Sequence, residues 1–454
     1  MLKLTIVSFI LGSFSLAMQL PPEPRLPSRV CFQLRAELTE GPVGYIPEWA
    51  ESIPDTHRIQ EALTNCSSGE AVKLIKGEGD AFLSGPLEIP PGVTLWIDAG
   101  VTLFASRNPR DFDMETMSCG VLQRSKKGCK SFISVFNGKK NAIVGEGVID
   151  GRGGQKMIGS NETWWELAWR AKQSGHQSCP RLIVINRCED FSLYQVRLHN
   201  SPSFHVVTKE VLGFIAWGVK VDTPSVAYPE GTRARNTDAF DPNGQNMVFT
   251  QCYINAGDDN IAVKAGSFQV SNMLIQDNHF YRGHGMSIGS ETADGVVNVT
   301  VRNLSIDGGD NGIRIKSDSS KGGNVSGILY ENICIRDTDF PLVFDSFYSD
   351  NKGSKYPNFH DIHVRNTRII DSKTKEVVFR GYDGNNLLKI SLDNVFSDFT
   401  IENVTATNVE FTLGPGQVHG IVLKDDEDKN VKIVDKSKTV SPFDCSNMFV
   451  PFPR

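Results

Sequence analysis

Three stretches of the chain repeat one pattern: NMVFTQCYINAGDDNIAVK (residues 246–264), NMLIQDNHFYRGHGMSIGS (272–290) and NVTVRNLSIDGGDNGIRIK (298–316). Each stretch begins with Asn and starts 26 residues after the previous one. In each, alternating apolar residues lead to a glycine turn and then to a second short alternating strand. Looser copies precede them (RLIVINRCEDFSLYQVRLHN, 181–200) and follow them (VSGILYENICIRDTDFPLVFDS, 325–346).

Repeats of roughly 20–30 residues that contain several short strands and no helix are typical of a parallel β-helix. Leucine-rich repeats share this period, but their Leu-rich consensus is absent here. The sequence therefore predicts an all-β chain with a single-stranded parallel β-helix over residues 76–454. Residues 18–75 lack the repeat and are expected to form an N-terminal cap. One stretch, ETWWELAWRAKQ (162–173), predicts a short helix in a loop between coils.

The N-terminus predicts export from the cell. Lys3 precedes an apolar stretch over residues 4–16, and Ser15 and Ala17 occupy the two positions that a signal peptidase reads. The stretch is too short to span a membrane, so we expect a signal peptide over residues 1–17; a buried N-terminal strand is the alternative. The protein is thus expected to be secreted and extracellular. Six sequons would accept glycans in a eukaryotic secretory pathway, although Asn is also common in turns: Asn65, Asn161, Asn298, Asn303, Asn324 and Asn403.

Nine cysteines in an exported protein predict disulfides, and their odd number leaves at least one thiol free. Cys119 and Cys129 bracket a polar loop and form the best local pair. Cys31 with Cys66 is the second choice, and Cys252 lies in an alternating strand where a buried thiol is expected. Because no pair has C-x-x-C spacing, a zinc site is not expected.

The formal net charge of −6, without a basic tract, argues against a nucleic-acid partner. No segment is long and apolar enough to span a membrane, so we expect no membrane partner. We also expect a monomer. A negatively charged protein binds a negatively charged substrate only through a local cationic pocket.

The repeat register brings titratable residues of different coils together. Twelve residues after the Asn of each stretch stand Asp258, His284 and Asp310. Equivalent positions on neighbouring coils lie roughly 4.8 Å apart, so Asp258 and His284 should be neighbours. Asp238 lies in a turn one coil earlier.

The third stretch adds two cations, Arg314 and Lys316, which share a face because they are two apart on a strand. Taken alone, a Gly-Asp-Asp is usually a turn, a Gly-His-Gly is usually a loop, and an Arg-x-Lys is usually a solvated strand face. The same repeat register, however, aligns all three motifs. A site that protonates one group while it deprotonates water needs such a combination of carboxylates, a histidine and cations.

Four motifs then carry a family resemblance: NTD (236–238), GDD (257–259), GHG (283–285) and RIK (314–316). Over about residues 75–420 the chain resembles the polygalacturonases of glycoside hydrolase family 28. GDDNIAVKAG, GHGMSIGSET and RIKSDSS are most similar to the bacterial-type endopolygalacturonases. The resemblance implies a right-handed β-helix, no metal and no cofactor. It also implies hydrolysis of α-1,4-linked galacturonan, such as polygalacturonate, with inversion of configuration.

The resemblance also implies roles for the acidic residues and the histidine. Asp258 matches the general acid, Asp238 and Asp259 match the pair that holds and activates water, and His284 supports the protonation of the acid. An inverting enzyme needs its carboxyl groups roughly 6.5–9.5 Å apart to admit the water. Crowded carboxylates raise the pKa of at least one of them, and we expect that one to be Asp258.

Arg314 and Lys316 match the cations that bind the sugar carboxylate beside the scissile bond. Tyr348, in FPLVFDSFYSD, matches a substrate-binding tyrosine more loosely. Two departures are mild: Ala239 stands where many members have Gly, and Asn260 stands where many fungal members have Cys. Neither carries a proton, so activity is still expected.

Several alternatives remain open at this point. The enzyme could be exo-acting or prefer a decorated galacturonan, with the loop between Cys119 and Cys129 or the segment 152–178 closing one end of the cleft. Rhamnogalacturonan hydrolases of the family generally lack Gly-His-Gly, which argues against them. A calcium-dependent lyase uses an arginine base on a similar scaffold. A non-catalytic carbohydrate-binding solenoid would have no need of a filled set of catalytic positions.

Overall fold

The computed structural model describes residues 18–123, 128–372, 374 and 376–453. The predicted signal peptide, residues 1–17, lies outside them. Within the described residues, no helix has the length and apolar character that crossing a bilayer requires.

Short strands dominate the chain. In order they are β1 Val30–Arg35, β2 Ala71–Ile75, β3 Ala81–Ser84, β4 Leu87–Glu88, β5 Thr94–Ile97, β6 Thr102–Ala105, β7 Leu122–Gln123, β8 Ile133–Phe136, β9 Ala142–Val144, β10 Val148–Asp150, β11 His176–Gln177, β12 Ile183–Asn186, β13 Glu189–Tyr194, β14 Arg197–His199, β15 Val206–Lys209, β16 Val211–Trp217 and β17 Lys220–Asp222. They continue as β18 Phe240–Asp241, β19 Gly244–Thr250, β20 Tyr253–Asn255, β21 Ile261–Val263, β22 Val270–Phe280, β23 Met286–Gly289, β24 Val296–Lys316, β25 Gly323–Asp345, β26 Pro357–Phe359, β27 Ile362–Ile370, β28 Glu376–Arg380, β29 Leu388–Ile401, β30 Asn403–Thr407, β31 Val409–Leu413, β32 Val418–Ile421 and β33 Val431–Asp435.

Successive coils place these strands in three parallel sheets. One of them, called sheet A here, runs from β4 through β8, β12, β15, β18, β21 and β23 to the C-terminal segments of β24 and β25 and then to β28 and β30. The long strands β24 and β25 bend through all three sheets, and all strand pairings in these sheets are parallel. Only β7 and β11 of the described strands pair antiparallel, in a separate two-stranded sheet. The predicted parallel β-helix is confirmed.

The Asn that starts each repeat stabilises a local bend of the chain. Asn246, Asn272 and Asn298 all adopt a left-handed backbone, with φ of 58°, 57° and 59°. Asn tolerates this conformation better than other residues that carry a β-carbon. The Asn272 amide donates to the Asn246 side chain at 3.2 Å, and the Asn298 amide donates to Asn272 at 2.7 Å. The repeat is therefore marked by a ladder of side-chain amides that climbs the coils.

Stacked aromatic rings fill part of the interior beside the site. The rings of Phe191 and Phe214 lie 5.9 Å apart, and Phe249 follows at 5.3 Å. Phe240, on β18, packs edge-on against Phe249 at 5.3 Å. Truncating such a buried ring to alanine costs about 3–5 kcal/mol, so these rings hold the coils around β18 in register.

Three disulfides cross-link the N-terminal region, one loop and the C-terminal tail. The bridges are Cys31–Cys66, Cys119–Cys129 and Cys334–Cys445. The first two confirm the predicted pairs, whereas the third, between β25 and the C-terminal tail, was not anticipated. Of the described cysteines, Cys179, Cys188 and Cys252 are free, and Cys252 is buried as expected.

Two α-helices accompany the coils, α1 (Thr56–Thr64) and α2 (Trp164–Ser174). The second is the helix predicted between coils. Thr163 and Glu166 form a capping box at its start, which satisfies two backbone donors. The helix buries Trp164 and Trp165 and leaves Trp169 partly exposed.

Candidate active site

The predicted aspartates and the histidine lie just before adjacent strands of sheet A. Asp238 comes just before β18, Asp258 and Asp259 come before β21, and His284 comes before β23. The strands pair in register, Phe240 with Ile261 and Ile261 with Met286, so the three turns stack on one edge of the sheet.

One asparagine locks two of these turns together. Asn260 is fully buried, and its side-chain oxygen accepts from the backbone N–H of Gly285 at 2.9 Å. Its amide donates to the carbonyl oxygens of Arg282, at 3.0 Å, and Ile254, at 3.1 Å. Gly283 has a φ of +125°, and a β-carbon there would lie 2.6 Å from the carbonyl oxygen of Asp258. Asn260, where many fungal members of the family have Cys, therefore fixes the turn that carries His284 through these hydrogen bonds.

Asp258 and Asp259 have different partners although they are adjacent. Asp259 is buried, and its Oδ1 accepts from the Ser287 hydroxyl at 2.9 Å and from the Arg314 guanidinium. Its Oδ2 accepts from Lys316 Nζ at 2.7 Å. Burial by itself raises the pKa of a carboxyl group, but the charges of Lys316 and Arg314 outweigh it and hold the pKa of Asp259 far below its usual range. Asp259 is therefore a fixed carboxylate.

Asp258 belongs instead to a chain of three titratable groups. His284 Nδ1 lies 3.0 Å from Asp258 Oδ1, and His284 Nε2 lies 3.0 Å from Asp310 Oδ2. The predicted contact between Asp258 and His284 is present, and the 12-residue count also locates Asp310. Burial opposes a charge on the imidazole, but the hydrogen bonds to Asp258 and Asp310 prevail and raise the pKa of His284 to about 10. The proton of this chain resides on His284.

Asp238 is the carboxyl group with the opposite environment. It is buried, and its Oδ1 has no hydrogen-bond partner among the described residues. Burial, followed by the charges of Asp258, Asp241 and Asp259, raises the pKa of Asp238 well above its usual value. The expectation had placed the raised pKa on Asp258. In the substrate-free protein the pKa of Asp258 is instead lowered, because the bond to charged His284 outweighs the effect of its burial.

The sequence analysis did not identify two further ionisable residues beside the site, Asp241 and Lys264. Asp241 lies on β18, three residues after Asp238, and burial raises the pKa of Asp241 to about 6 although the charge of Lys264 opposes the shift. Lys264 is itself paired with Glu291 at 3.4 Å. The stretches NTDAFD and GDDNIAVK contain both residues, but only the packing of the coils shows that their charges act on the same site.

Arg314 and Lys316 stand at the end of β24 on sheet A. They are 6% and 4% exposed, and Asp259 lies between their charged groups. Tyr348 lies above them, with its ring centre 5.8 Å from the Arg314 guanidinium carbon and 4.9 Å from Lys316 Nζ. Its backbone N–H donates to the Ser317 carbonyl, and the side chain is 46% exposed. One carboxylate between two cations leaves this corner with an excess of positive charge beneath an accessible aromatic ring.

A cavity of about 630 Å³ opens beside Asp258 and His284. Helix α2 supplies Trp169 to its wall, and the Arg235 guanidinium holds the helix there through the Ala168 carbonyl at 3.2 Å. Arg233 lies over the Trp169 ring at 5.4 Å. The segment 152–178 thus borders the cavity.

The donor atoms of Asp258, Asp259 and His284 lie within 4.8 Å of one another, a spacing that a metal ion could bridge. These atoms already have partners, however. Both Asp259 oxygens accept from cations, and both His284 nitrogens face carboxylates. The donor set therefore fits an organic acid–base site better than a metal site.

The comparisons with known proteins agree with this geometry. The model of the glycosyl hydrolases family 28 matches residues 66–419. The chain belongs to glycosyl hydrolase family 28. It is a glycoside hydrolase, and its fold is the right-handed parallel β-helix.

This family-28 enzyme is similar in sequence to bacterial polygalacturonases and in structure to a solved one. It is 43% identical to a polygalacturonase of Ralstonia solanacearum, over 94% of this chain and 92% of the relative. It is 44% identical to an endo-polygalacturonase of Pectobacterium carotovorum subsp. carotovorum, over 78% of this chain and 88% of the relative. Among solved structures, the polygalacturonase from Erwinia carotovora ssp. carotovora superposes with a TM-score of 0.72 at 36% identity, covering 94% and 98% of the two chains.

Proposed function

We propose that this family-28 enzyme is a secreted, monomeric, endo-acting polygalacturonase that cleaves the α-1,4 bonds of polygalacturonate with inversion. The observation that carries the proposal is the separate environment of each carboxyl group. Asp259 is held ionised by two cations, Asp258 is bonded to a protonated histidine, and Asp238 is buried with a raised pKa. Three carboxyl groups with three different proton affinities suit a reaction that donates one proton and removes another.

In this mechanism Asp258 protonates the leaving glycosidic oxygen. The proton comes from His284 Nδ1, 3.0 Å from Asp258 Oδ1, and passes to Asp258 as the sugar carboxylates add negative charge to the site. Asp310 then accepts a hydrogen bond from the remaining N–H of neutral His284. Asp310 is therefore a positioning residue that keeps the imidazole charged until substrate binds.

Asp238 and Asp259 hold the attacking water. Once ionised, a carboxylate with a raised pKa is a stronger base than an ordinary aspartate, so Asp238 takes the proton of the water. Asp259 accepts the second hydrogen of the water without being protonated itself. The water oxygen bonds directly to the anomeric carbon as the glycosidic bond breaks, and no covalent sugar–enzyme species forms. Solvent afterwards removes the proton from Asp238 and returns one to His284.

The sugar carboxylate beside the scissile bond binds at the corner formed by Arg314, Lys316 and Tyr348. The cations provide charge-assisted hydrogen bonds, and the exposed tyrosine ring offers a surface for the sugar. Methyl-esterified pectin lacks the charge and is expected to be a poor substrate.

Secretion rests on the N-terminal 17 residues and on the three disulfides, which form in oxidising compartments. The N-terminus of the exported protein should then be Met18.

The test is to incubate the purified protein with polygalacturonate and to size the products over time. Endo action predicts a rapid fall in viscosity and a broad range of oligomers in the first minutes. Monomers or dimers from the start would mean exo action, and the absence of any new reducing ends would contradict the proposal.

A further inference from the structure

A buried histidine lies next to the turn that carries Asp238. His205 comes directly before β15 and is fully buried. Because Val206 pairs with Phe240, His205 lies level with Ala239, the residue after Asp238. His205 takes no part in the proton transfers of the proposed mechanism, but its buried ring nitrogens need hydrogen-bond partners, and these partners show what the ring holds in place.

The imidazole of His205 bonds to both ends of one loop. The loop, residues 223–239, joins β17 to β18 and forms part of the wall of the cavity. At its start, the Thr223 hydroxyl oxygen lies 2.8 Å from His205 Nε2. At its end, the Asp238 carbonyl oxygen lies 3.1 Å from His205 Nδ1 and also accepts from the His205 backbone N–H at 2.8 Å. His205 therefore closes the loop at its base.

The neighbours of the ring fix which of its nitrogens carries the hydrogen. A carbonyl oxygen can only accept, so Nδ1 carries the hydrogen that His205 donates to Asp238. Burial lowers the pKa of His205 to about 4, so the ring is neutral near neutral pH and its Nε2 is an acceptor. The Thr223 hydroxyl accepts from the Asn200 N–H at 2.7 Å and donates its own hydrogen to Nε2. Each group in this chain, from Asn200 to Asp238, thus has a single donor or acceptor role towards the next.

The position of the Asp238 carboxyl group depends on its backbone. Its Oδ1 is buried and has no hydrogen-bond partner among the described residues, so no bond at that atom would correct a shift of the turn. The peptide unit that follows is held on both sides. Its C=O accepts from His205, and its N–H, that of Ala239, donates to the Asp259 carbonyl oxygen at 2.9 Å. The bond to His205 therefore helps to fix the separation of the two carboxyl groups that hold the water.

We propose that His205 is a positioning residue for the reaction, which holds the Asp238 peptide through its Nδ1–H so that the Asp238 carboxyl group reaches the attacking water. This inference rests on the proposed function, in which Asp238 takes the proton of the water. Register pairing places His205 and Asn260 in one row, and Asn260 fixes the turn of His284 in a similar way. The base and the proton relay are thus each supported by a buried polar side chain beneath the sheet.

The experiment measures kcat and KM on polygalacturonate, per folded protein, for His205→Leu, His205→Asn and the control His360→Leu. Leucine removes the Nδ1–H, and kcat should fall about 10²-fold, as expected for a displaced catalytic group. KM should stay nearly constant, because Arg314 and Lys316 are untouched. Asparagine places an N–H near the position of Nδ1 and should restore kcat to within about fivefold of the unsubstituted enzyme. His360 bonds to the Asn324 side chain at 2.8 Å, outside the site, so His360→Leu should change neither constant.

A second comparison separates positioning from a general loss of stability. His205→Leu is added to Asp238→Asn, which already lacks the base. If His205 acts through Asp238, the added substitution should lower the residual kcat less than about threefold, whereas independent effects would multiply. Thr223→Val and Thr223→Ser keep the test decisive if His205→Leu does not fold. Valine removes the hydroxyl that bonds to Nε2 and should lower kcat about fivefold, and serine keeps the hydroxyl and should not.

Unchanged kcat in His205→Leu or in Thr223→Val, equal losses for leucine and asparagine at residue 205, or multiplied losses in the double variant would each overturn the positioning role. Failure of the proposed function would look different, because the unsubstituted protein would then release no reducing ends from polygalacturonate.

Discussion

Replacing Asp310 by asparagine tests the claim that His284 stores the proton for the general acid. Asparagine has the same shape and still offers an oxygen to His284 Nε2, which lies 3.0 Å from Asp310 Oδ2. The substitution therefore removes a charge and little else. Two unit charges about 4 Å apart interact with about 1 kcal/mol in water and about 4 kcal/mol near a protein surface.

The lower figure applies here because the Asp310 side chain is 61% exposed. One pKa unit corresponds to about 1.36 kcal/mol, so Asp310→Asn should lower the pKa of His284, about 10 in the intact protein, by about one unit. The basic limb of the pH dependence of kcat should move towards neutral pH by the same amount.

The assay follows the ring carbon–proton signal of His284 by NMR between pH 6 and 11, with the signal identified by its loss in His284→Gln. Asp361→Asn is the control, because Asp361 forms a similar exposed pair with His363 at 2.9 Å outside the site. An unchanged His284 titration and an unchanged basic limb in Asp310→Asn would refute the relay.

Three further predictions concern the acid, the cations and stability. Asp258→Asn should reduce turnover by at least about 10²–10⁴-fold, the usual worth of general acid catalysis, while oligogalacturonate binding measured by calorimetry is retained; turnover like that of the unsubstituted enzyme would exclude this role. Lys316→Met should raise KM for polygalacturonate and also lower Tm, because it leaves buried Asp259 short of one partner at a cost of about 3–5 kcal/mol; a variant with normal KM that cuts esterified pectin equally well would mean that the cation does not bind the sugar. Folding raises the pKa of His284 from about 6.5 to about 10, so the pairing of His284 stabilises the fold fully below pH about 6.5 and no longer does so once the pH has risen through about 10. The difference in Tm between the unsubstituted protein and His284→Gln should therefore shrink between pH 6 and pH 10.5. A constant difference would contradict the charged pair.

The repeat made the β-helix and the contact between Asp258 and His284 predictable, because these coils have nearly equal lengths and a fixed count follows the stacking. Asp238 precedes its register partner, Asp259, by 21 residues, so the 26-residue count does not reach it. Only the NTD motif pointed to Asp238 in the sequence.

The charge distribution could not be read from residue types alone. Three nearby carboxyl groups indicate that one pKa is raised, but which one depends on partners from other coils. His284 pairs with Asp258, and the two cations, Arg314 and Lys316, pair with Asp259. Among the described residues, Asp238 has no oppositely charged group in direct contact, and its pKa is the one that is raised. The Cys334–Cys445 bridge was missed for a related reason, since its cysteines are 111 residues apart and the tail has no repeat.

In the proposed mechanism, water held at Asp238 and Asp259 displaces the leaving group in a single step, and Asp258 protonates the leaving oxygen. Such a displacement inverts the anomeric centre in one step, so an α-linked substrate first yields a β-anomer at the new reducing end. Proton NMR of a polygalacturonate digest during the first minutes, before the anomers equilibrate, measures this directly. The β-anomer signal should rise first, and the α-anomer signal should follow at the rate of mutarotation. An initial burst of the α-anomer would require a covalent intermediate on one of the aspartates and would contradict the roles assigned here.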